Sequence, residues 1–298
     1  MKMPQVRLIL GLAAVAGAAF LLDASLAGLH GANPAKYVPS QGNFSSLNDS
    51  GSPKNYSLAF FLNCNNPYYK SNLALFESNL KRGDYLLVSG PAQRASDIIK
   101  KTDEIRTSTS PGIHVVSVVV FRDISEIMDT VPGLPRGFDY VMYDYEGGSG
   151  YSPEFTPDEA ASVEYFAEAR DAVGKYDKNS GSSASLLVSP PYGELHKSGW
   201  NWTLAASNMD AIDIQLQAFA TDPGIQDYAK NIVGQIRKST GDKLVFVQLS
   251  IIPTRATIQE NIGALAKLQD VRGINAFLIF YKNNQRQDLL ELFRMLHR

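Results

Sequence analysis

The sequence predicts a single α/β domain built as a (β/α)8 barrel, also called a TIM barrel, preceded by a signal peptide and a flexible segment. Strand-like apolar runs alternate with helical patterns, the alternation repeats eight times, and no linker or change of composition divides the chain from residue 56 to residue 298. Strict alternation favours parallel strands joined by right-handed crossovers. Eight such units fit one closed ring of strands surrounded by helices.

The expected strands are runs rich in β-branched and aromatic residues that lie between polar turns. They are Ser57–Leu62, Tyr85–Ser89, Ile113–Phe121, Tyr140–Tyr145, Ala184–Ser189, Ala211–Gln217, Leu244–Leu249 and Ala276–Tyr281. The expected helices follow from apolar residues at helical spacing. They are Ser71–Lys81, Arg94–Arg106, Ser125–Thr130, Pro157–Lys175, Gly224–Ser239, Thr257–Gln269 and Gln285–Leu296. Only the connection after the fifth strand lacks a long helical pattern.

The helix after the fourth strand has the clearest start. Thr156 can cap it, Pro157 suits the first turn, where no backbone N–H is needed, and Glu159 completes a capping box with Thr156. We therefore expect this helix to begin directly after Thr156.

The N-terminal segment has the pattern of a secretion signal. An apolar stretch from 8 to 22 follows basic residues, and the small residues Ser25 and Ala27 lie at cleavage-site spacing. We expect a signal peptide over 1–27 and a flexible lead-in over 28–55, which makes the protein secreted or attached to the cell surface. An uncleaved anchor is the alternative and is the only membrane contact expected.

Composition and motifs exclude several classes of function. The formal net charge is −2, so no basic surface is expected for nucleic acid. Cys64 is the only cysteine, so no internal disulfide forms, and the four histidines are scattered along the chain. The patterns of a serine-hydrolase elbow and of nucleotide-binding loops are absent. We expect a monomer that needs neither a metal nor a cofactor.

The run FDYVMYDYEGG, at 138–148, is the most informative segment. It ends in Asp144 and Glu146, which would share one face of a strand because alternate residues of a strand point the same way. Two carboxylates at the end of an apolar strand are costly unless they are used or satisfied. Barrel active sites lie at the carboxyl ends of the strands, so this pair is a candidate catalytic site.

Other polar residues follow the remaining predicted strands. They are Asn63, Asn65, Ser89, Arg122, Asp123, Tyr192, Gln215, Gln217, Gln248, Ser250, Tyr281 and Asn283. Amides and hydroxyls with few cations suit a neutral polyhydroxylated ligand. We therefore expect an oligo- or polysaccharide partner, contacted by Asn63, Tyr192, Gln215, Gln217 and Tyr281.

The same run resembles the fourth-strand signature of family 18 glycoside hydrolases, the chitinase and class III chitinase/lysozyme group, whose pattern is D-G-x-D-x-D-x-E. Asp139 matches the first Asp, Asp144 the last Asp and Glu146 the catalytic Glu. Tyr140 replaces the Gly and Met142 replaces the middle Asp.

A second segment, MDAIDIQLQAF at 209–219, resembles the sixth strand of that family. Asp210 and Gln215 fit, whereas Gln217 stands where the family has Tyr. Phe277 falls in the place of the family's sugar-floor Trp, and the third strand lacks the family's S-x-G-G pattern.

The resemblance implies hydrolysis of a β-linked N-acetylhexosaminide, assisted by the acetamide group of the substrate. Glu146 would protonate the departing glycosidic oxygen, and Asp144 would orient the acetamide and stabilise the positive oxazolinium ion. No metal takes part in this chemistry. The departures at Met142 and Gln217 would weaken it.

Three functions remain open: an exported chitinase-like glycosidase, an inactive carbohydrate-binding barrel of the same fold, and a surface-tethered structural protein. In the last case Glu146 would only pair with Arg122 or Lys282 at the barrel rim. Trp200 and Trp202 have a similar ambiguity, because they would form either a stacking platform for sugar rings or a hydrophobic plug.

Overall fold

The protein is a closed barrel of eight parallel strands, which confirms the predicted fold class. The computed structural model describes residues 56–147, 151–191, 193, 195, 199–240, 243–252, 257–282 and 285–296. The strands are β1 (Ser57–Asn63), β2 (Tyr85–Gly90), β3 (His114–Phe121), β4 (Tyr140–Tyr143), β5 (Ser185–Val188), β6 (Ala211–Gln215), β7 (Leu244–Ser250) and β8 (Ala276–Phe280). Each strand pairs with the next one along the chain, and β8 closes the ring on β1.

Helices occupy the connections between strands. They are α1 (Tyr69–Asn79), α2 (Ala95–Ser108), α3 (Ile124–Thr130), α4 (Glu159–Ser180), α5 (Trp202–Ser207), α6 (Ile225–Thr240), α7 (Ile258–Leu268) and α8 (Arg286–Leu296). The helix in the connection after β5, α5, is short, as the sequence indicated. The predicted signal peptide and lead-in lie outside the described residues. Among the described helices, none combines the length and the apolar character that crossing a bilayer requires.

The predicted start of α4 was wrong by two residues. Asp158 caps this helix by accepting a hydrogen bond from the Ala161 backbone N–H at 3.0 Å. Thr156 is unsuited to the task because its backbone N–H donates to the Tyr145 hydroxyl at 2.9 Å and its carbonyl accepts from that hydroxyl at 3.2 Å. The tertiary contact therefore fixes Thr156 outside the helix.

Two predicted strands end two residues earlier than expected. β4 stops at Tyr143 and β6 stops at Gln215, where a 3-10 turn over Gln217–Phe219 begins. Polar residues continue beyond the end of each strand, with Asp144 and Glu146 after β4 and Gln217 after β6.

The apolar residues form two cores on the two faces of the strands. A small inner core fills the barrel and includes Ala59, Leu87, Met142 and Phe246. A larger outer core fills the layer between the strands and the helices. Because side chains alternate along a strand, each residue belongs to one core or the other, and this alternation decides which predicted site residues face the barrel interior.

The amino-terminal rim of the barrel is held by four side chains that precede the even-numbered strands. Asp84, Asp139, Asp210 and Asn275 each accept a hydrogen bond from a backbone N–H of the preceding strand, at 2.6–3.0 Å. In the last three, the backbone N–H of the same residue donates back to that strand. These reciprocal bonds fix the register of neighbouring strands at the end opposite to the polar mouth.

Candidate active site at the carboxyl end of the barrel

The candidate site is built on three neighbouring strands, β4, β5 and β6. Met142, Leu187 and Ala211 are aligned across these strands and pack in the inner core. Two residues further along each strand, the same inward face carries Asp144, Ser189 and Asp213. Apolar side chains thus give way to a polar row directly above the inner core, at the carboxyl ends where barrel enzymes place their chemistry.

Asp144 is held by an arginine from the neighbouring strand. Arg122, which follows β3, donates from Nε to Asp144 Oδ2 at 3.0 Å, and the two side chains are 25% and 13% exposed. Burial raises the pKa of Asp144, while the positive charge and hydrogen bond of Arg122 oppose that rise. Arg122 is itself packed under the Tyr151 ring, 4.8 Å from the ring centroid, so the loop after β4 covers the ion pair.

Glu146 lies one step above Asp144 and is half-buried. Its Oε1 accepts a short hydrogen bond from Gln215 Nε2, which reaches across from β6. Gln217 Nε2 in turn donates to Gln215 Oε1 at 3.1 Å. The sequence predicted all four of these residues, and the structure brings Glu146, Gln215 and Gln217 into one hydrogen-bonded cluster, with Asp144 next to it along β4.

Ser189 and Asp213 extend the cluster into the barrel. Gln215 Nε2 also donates to Ser189 Oγ at 3.1 Å, and Ser189 Oγ donates to Asp213 Oδ2 at 2.9 Å. Burial raises the pKa of Asp213 to about 7, the nearby charge of Asp144 adds to the rise, and the Ser189 hydrogen bond opposes it. Two buried carboxyl groups therefore lie close together in the polar row, and only Asp144 has an arginine beside it.

Sequence analysis missed Asp213 and Ser189 as site residues. A usable signal was present, because Asp213 lies two residues before Gln215 in the strand I-D-I-Q and must share its face. Ser189 carries no such signal by itself. Its role depends on the register between β5 and β6, which spacing along one strand does not give.

The loop that follows β4 is anchored so that Glu146 is held in place. Ser152 binds the chain that follows β4, since its backbone N–H donates to the Glu146 carbonyl at 3.0 Å and its hydroxyl to the Asp144 carbonyl at 3.1 Å. Further along, Glu154 Oε1 accepts from the Tyr143 hydroxyl and from the Ile124 backbone N–H at the start of α3. These contacts restrain the backbone on both sides of the carboxylate.

The other predicted ligand contacts have different placements. Asn63 follows the inward alternation of β1 and is partly buried at its carboxyl end, where Oδ1 accepts from the Asn65 backbone N–H at 2.8 Å. Phe277 and Tyr281 lie in the outer core, because the inward face of β8 is formed by Ala276 and Leu278. This placement removes them from the candidate site. Tyr192, also predicted, lies outside the described residues.

Tyr281 has a structural role instead. Its buried hydroxyl donates to the Phe61 carbonyl at 2.6 Å, and its ring packs edge-on against Phe76. The two tryptophans are also structural, because Trp200 and Trp202 are 6% and 3% exposed and belong to the outer core. Both rings are therefore packed in the outer core and are not available as a stacking platform.

No metal centre is evident in the part of the chain that the structure describes, where no three His, Cys, Asp or Glu side chains converge on one point. The chemistry that the arrangement offers is that of two or three carboxyl groups, hydrogen-bonded amides and one arginine. Such a set can donate and accept protons and can stabilise positive charge.

The fold and the hydrogen-bonded cluster around Glu146 together define a (β/α)8 barrel protein with two carboxyl groups directly after its fourth strand. Its fold is similar to that of a family 18 chitinase from Crocus vernus, with a TM-score of 0.52, 11% identity, and coverage of 80% of this chain and 100% of that one. At this identity the similarity establishes the fold alone.

Two further solved structures have lower scores. One is the catalytic domain of the psychrophilic chitinase B from Arthrobacter TAD20, with a TM-score of 0.48, 9% identity and coverage of 80% of this chain and 95% of that one. The other is a citrate lyase from Burkholderia xenovorans LB400, with a TM-score of 0.48, 10% identity and coverage of 80% and 75%. No protein-family model and no curated protein matches the sequence.

Proposed function

We propose that the protein is an exported glycoside hydrolase that cleaves glycans containing β-linked N-acetylhexosamine. The observation that carries the proposal is the pair of carboxyl groups directly after β4, with Asp144 paired to Arg122 and Glu146 hydrogen-bonded to Gln215. Both lie at the carboxyl end of a closed barrel, and Glu146 keeps part of its surface accessible. Similarity in fold to a family 18 chitinase agrees with this assignment.

In the first step, the acetamide oxygen of the substrate attacks the anomeric carbon and a carbon–oxygen bond forms. The bond to the leaving sugar breaks, its electron pair stays on the glycosidic oxygen, and Glu146 supplies the proton that this oxygen takes. The product of the step is a positively charged oxazolinium ion. Asp144, directly below Glu146, stabilises that charge and orients the acetamide.

In the second step, water attacks the same carbon. The Glu146 carboxylate accepts a proton from the water. The bond between the anomeric carbon and the acetamide oxygen breaks, which opens the five-membered oxazolinium ring and restores the acetamide. Glu146 thus returns to the protonated form in which it began. The amides of Gln215 and Gln217, which connect to Glu146, hold its side chain in place through both steps.

The role of Arg122 follows from burial. A carboxylate as buried as Asp144 needs a counter-charge to remain ionised, and Arg122 Nε supplies it at 3.0 Å. Only an ionised Asp144 offers the negative charge that stabilises the oxazolinium ion. We therefore assign Arg122 the task of keeping Asp144 ready for the first step.

The proposal is tested by measuring the release of reducing ends from chitooligosaccharides by the wild type and by Glu146→Gln. The wild type is expected to release them, and the variant is expected to keep the fold and to lose release. Asp139→Asn is the matched control, because Asp139 accepts from the Ser117 backbone N–H at the opposite end of β4. Release that is unchanged by Glu146→Gln would remove Glu146 from the mechanism.

The second candidate function is that of an inactive carbohydrate-binding barrel. It is favoured by Met142, which is 5% exposed in the inner core at the position of the middle Asp of the family pattern. It is also favoured by Gln217, whose amide occupies the position of the family Tyr. Such a protein would bind chitooligosaccharides without releasing reducing ends, so the same assay combined with calorimetric binding separates the two candidates.

The location of the protein is part of the same proposal. A signal peptide over 1–27 would export the chain, and an uncleaved segment would anchor it at the cell surface. Either location gives access to extracellular polysaccharide. N-terminal sequencing of the protein purified from its native host distinguishes a cleaved from a retained segment.

A further inference from the structure

Asp213 is a buried carboxyl group that the proposed mechanism does not use. Its side chain is 0% exposed, and Oδ1 has no hydrogen-bond partner. An unsatisfied carboxyl oxygen in a protein interior costs free energy, so its presence calls for a physical account. Asp213 faces the barrel interior from β6 in the row that also contains Asp144 and Ser189.

A continuous series of hydrogen bonds connects Asp213 with Glu146. Ser189 Oγ donates to Asp213 Oδ2 at 2.9 Å and accepts from Gln215 Nε2 at 3.1 Å, and the same Nε2 donates to Glu146 Oε1. Because a serine has a single hydroxyl hydrogen, its donation to Asp213 leaves its lone pairs for Gln215. The bond between Ser189 and Asp213 thus fixes the Ser189 hydroxyl as the acceptor for Gln215, and Gln215 in turn donates to Glu146.

We propose that Asp213 is a positioning residue which, through Ser189 and Gln215, sets the hydrogen bond that Gln215 donates to Glu146. The inference deepens the proposed function, because it rests on Glu146 as the proton donor of the same site. Asp213 acts only through its neighbours and does not touch the substrate.

The physical reason lies in the charge of Asp213. When Asp213 is ionised, it is the acceptor that fixes the Ser189 hydroxyl and, with it, the Gln215 amide. When Asp213 is protonated, the acceptor is a neutral carboxyl, so the hydrogen bond from the Ser189 hydroxyl is weaker and the amide is held less firmly. Burial and Asp144 raise the pKa of Asp213 to about 7, so the change of state falls near neutral pH.

The groups that surround Asp213 restrict what else can titrate there. Asp144 on the β4 side is paired with Arg122 from the β3 side, and burial raises its pKa as well. On the other side, β7 contributes Phe246 and Gln248, and neither of them titrates. Glu146 is reached only through Gln215. A titration near neutral pH is therefore assigned to Asp213 where Asp213→Asn removes it.

The first experiment needs no activity. Infrared difference titrations of the carboxyl groups from acid to alkaline pH are recorded for the wild type, Asp213→Asn, Ser189→Ala and Asp210→Asn. Asp210→Asn is the matched control, because it makes the same chemical change at the opposite end of β6. Asp210 accepts a hydrogen bond from the backbone of β5, and Asn275 already accepts the equivalent bond from β7, so an asparagine is suited to this position. The wild type and the three variants are first compared by thermal melting.

We expect a protonated-carboxyl band that titrates near pH 7 in the wild type and in Asp210→Asn but is missing in Asp213→Asn. Ser189→Ala should move its midpoint to higher pH, because the ionised form loses a donor. The Glu146 band, identified with Glu146→Gln, should shift by about half a pH unit, or threefold in proton affinity, between the wild-type and Asp213→Asn backgrounds. A Glu146 band that does not move would overturn the inference.

The second experiment measures hydrolysis against pH. Asp213→Asn is expected to lower kcat about tenfold with little change in KM, and to remove one ionisation from the pH profile, while Asp210→Asn retains the wild-type profile. Hydrolysis with an unchanged profile in Asp213→Asn contradicts the positioning role. Infrared coupling without any hydrolysis supports the positioning role and rejects the proposed function, so the two failures are distinguishable.

Discussion

The two ends of this barrel use the same kind of side chain in opposite ways. At the amino-terminal rim, Asp139 Oδ2 accepts hydrogen bonds from the Ser117 backbone, the Ser117 hydroxyl and Arg106, all at 2.6–2.7 Å. At the carboxyl-terminal mouth, Asp213 is fully buried with one oxygen unsatisfied. A satisfied carboxylate stabilises the fold, whereas an unsatisfied one stores free energy that the site can use.

Residues that match the same sequence motif lie at opposite ends of the barrel. Asp139, Asp144 and Glu146 all match the family 18 pattern, yet only the last two lie at the mouth. Asp139 holds β3 and β4 in register from the opposite end. A residue that matches a signature is therefore a candidate for chemistry only when the fold places it on the correct rim.

The largest effect is expected from Glu146→Gln at the mouth. Loss of the proton donor should lower hydrolysis of chitooligosaccharides by about a thousandfold, because positioned acids contribute about 10²–10⁴ in rate. The melting temperature should stay close to that of the wild type. Steady-state kinetics and differential scanning calorimetry on the same preparations check both statements.

Removal of the counter-charge should have the next largest effect. In Arg122→Met, a nearly buried Asp144 loses its partner, so its pKa should rise further and the acid limb of the activity profile should move to higher pH. We expect a stability loss of about 1–3 kcal/mol because the charge is only partly exposed. Arg94→Met is the control, since the pair with Asp97 is largely exposed and should contribute about 0–1 kcal/mol.

At the other rim, Asp139→Ala should affect stability and leave the chemistry unchanged. The Ser117 backbone N–H loses its acceptor, which costs about 1–3 kcal/mol. Chemical denaturation measures the loss, and kcat on a chitooligosaccharide measures the chemistry. A large fall in kcat with full stability would show that the division between the two rims is wrong.

A further expected effect is a pH dependence of stability that comes from Asp213. Its pKa is raised from 3.8 to about 7 on folding, so the folded protein binds the proton more tightly than the unfolded chain does. The stability contribution is therefore full below about pH 4 and is lost as pH rises towards 7. Asp213→Asn should gain in melting temperature relative to the wild type between pH 5 and pH 8. A difference that is constant with pH would contradict the raised pKa.

The sequence predicted the barrel because eight alternations of strand and helix leave few other folds. It also expected polar side chains to meet at the ends of the fourth and sixth strands, where the structure joins Glu146, Gln215 and Gln217 by hydrogen bonds. It failed for Phe277 and Tyr281, where the choice between the inner and the outer face of β8 depends on the register of the closed barrel.

Contacts between distant segments set a second limit on prediction. The start of α4 was misplaced because the Tyr145 hydroxyl binds the backbone of Thr156. Ser189 was missed because only the pairing of β5 with β6 places it between Gln215 and Asp213. A spacing rule reads one segment at a time, whereas this site is assembled from three strands.

The most direct test of the central claim uses two matched substrates. Reducing-end release is measured with the wild type on an N-acetylglucosamine oligomer and on the glucosamine oligomer of equal length, which lacks only the acetyl groups. Participation of the substrate acetamide beside Asp144 and Glu146 predicts release from the acetylated oligomer alone, and none with Glu146→Gln. Equal cleavage of both oligomers, or neither binding nor cleavage of the acetylated one, would contradict the account.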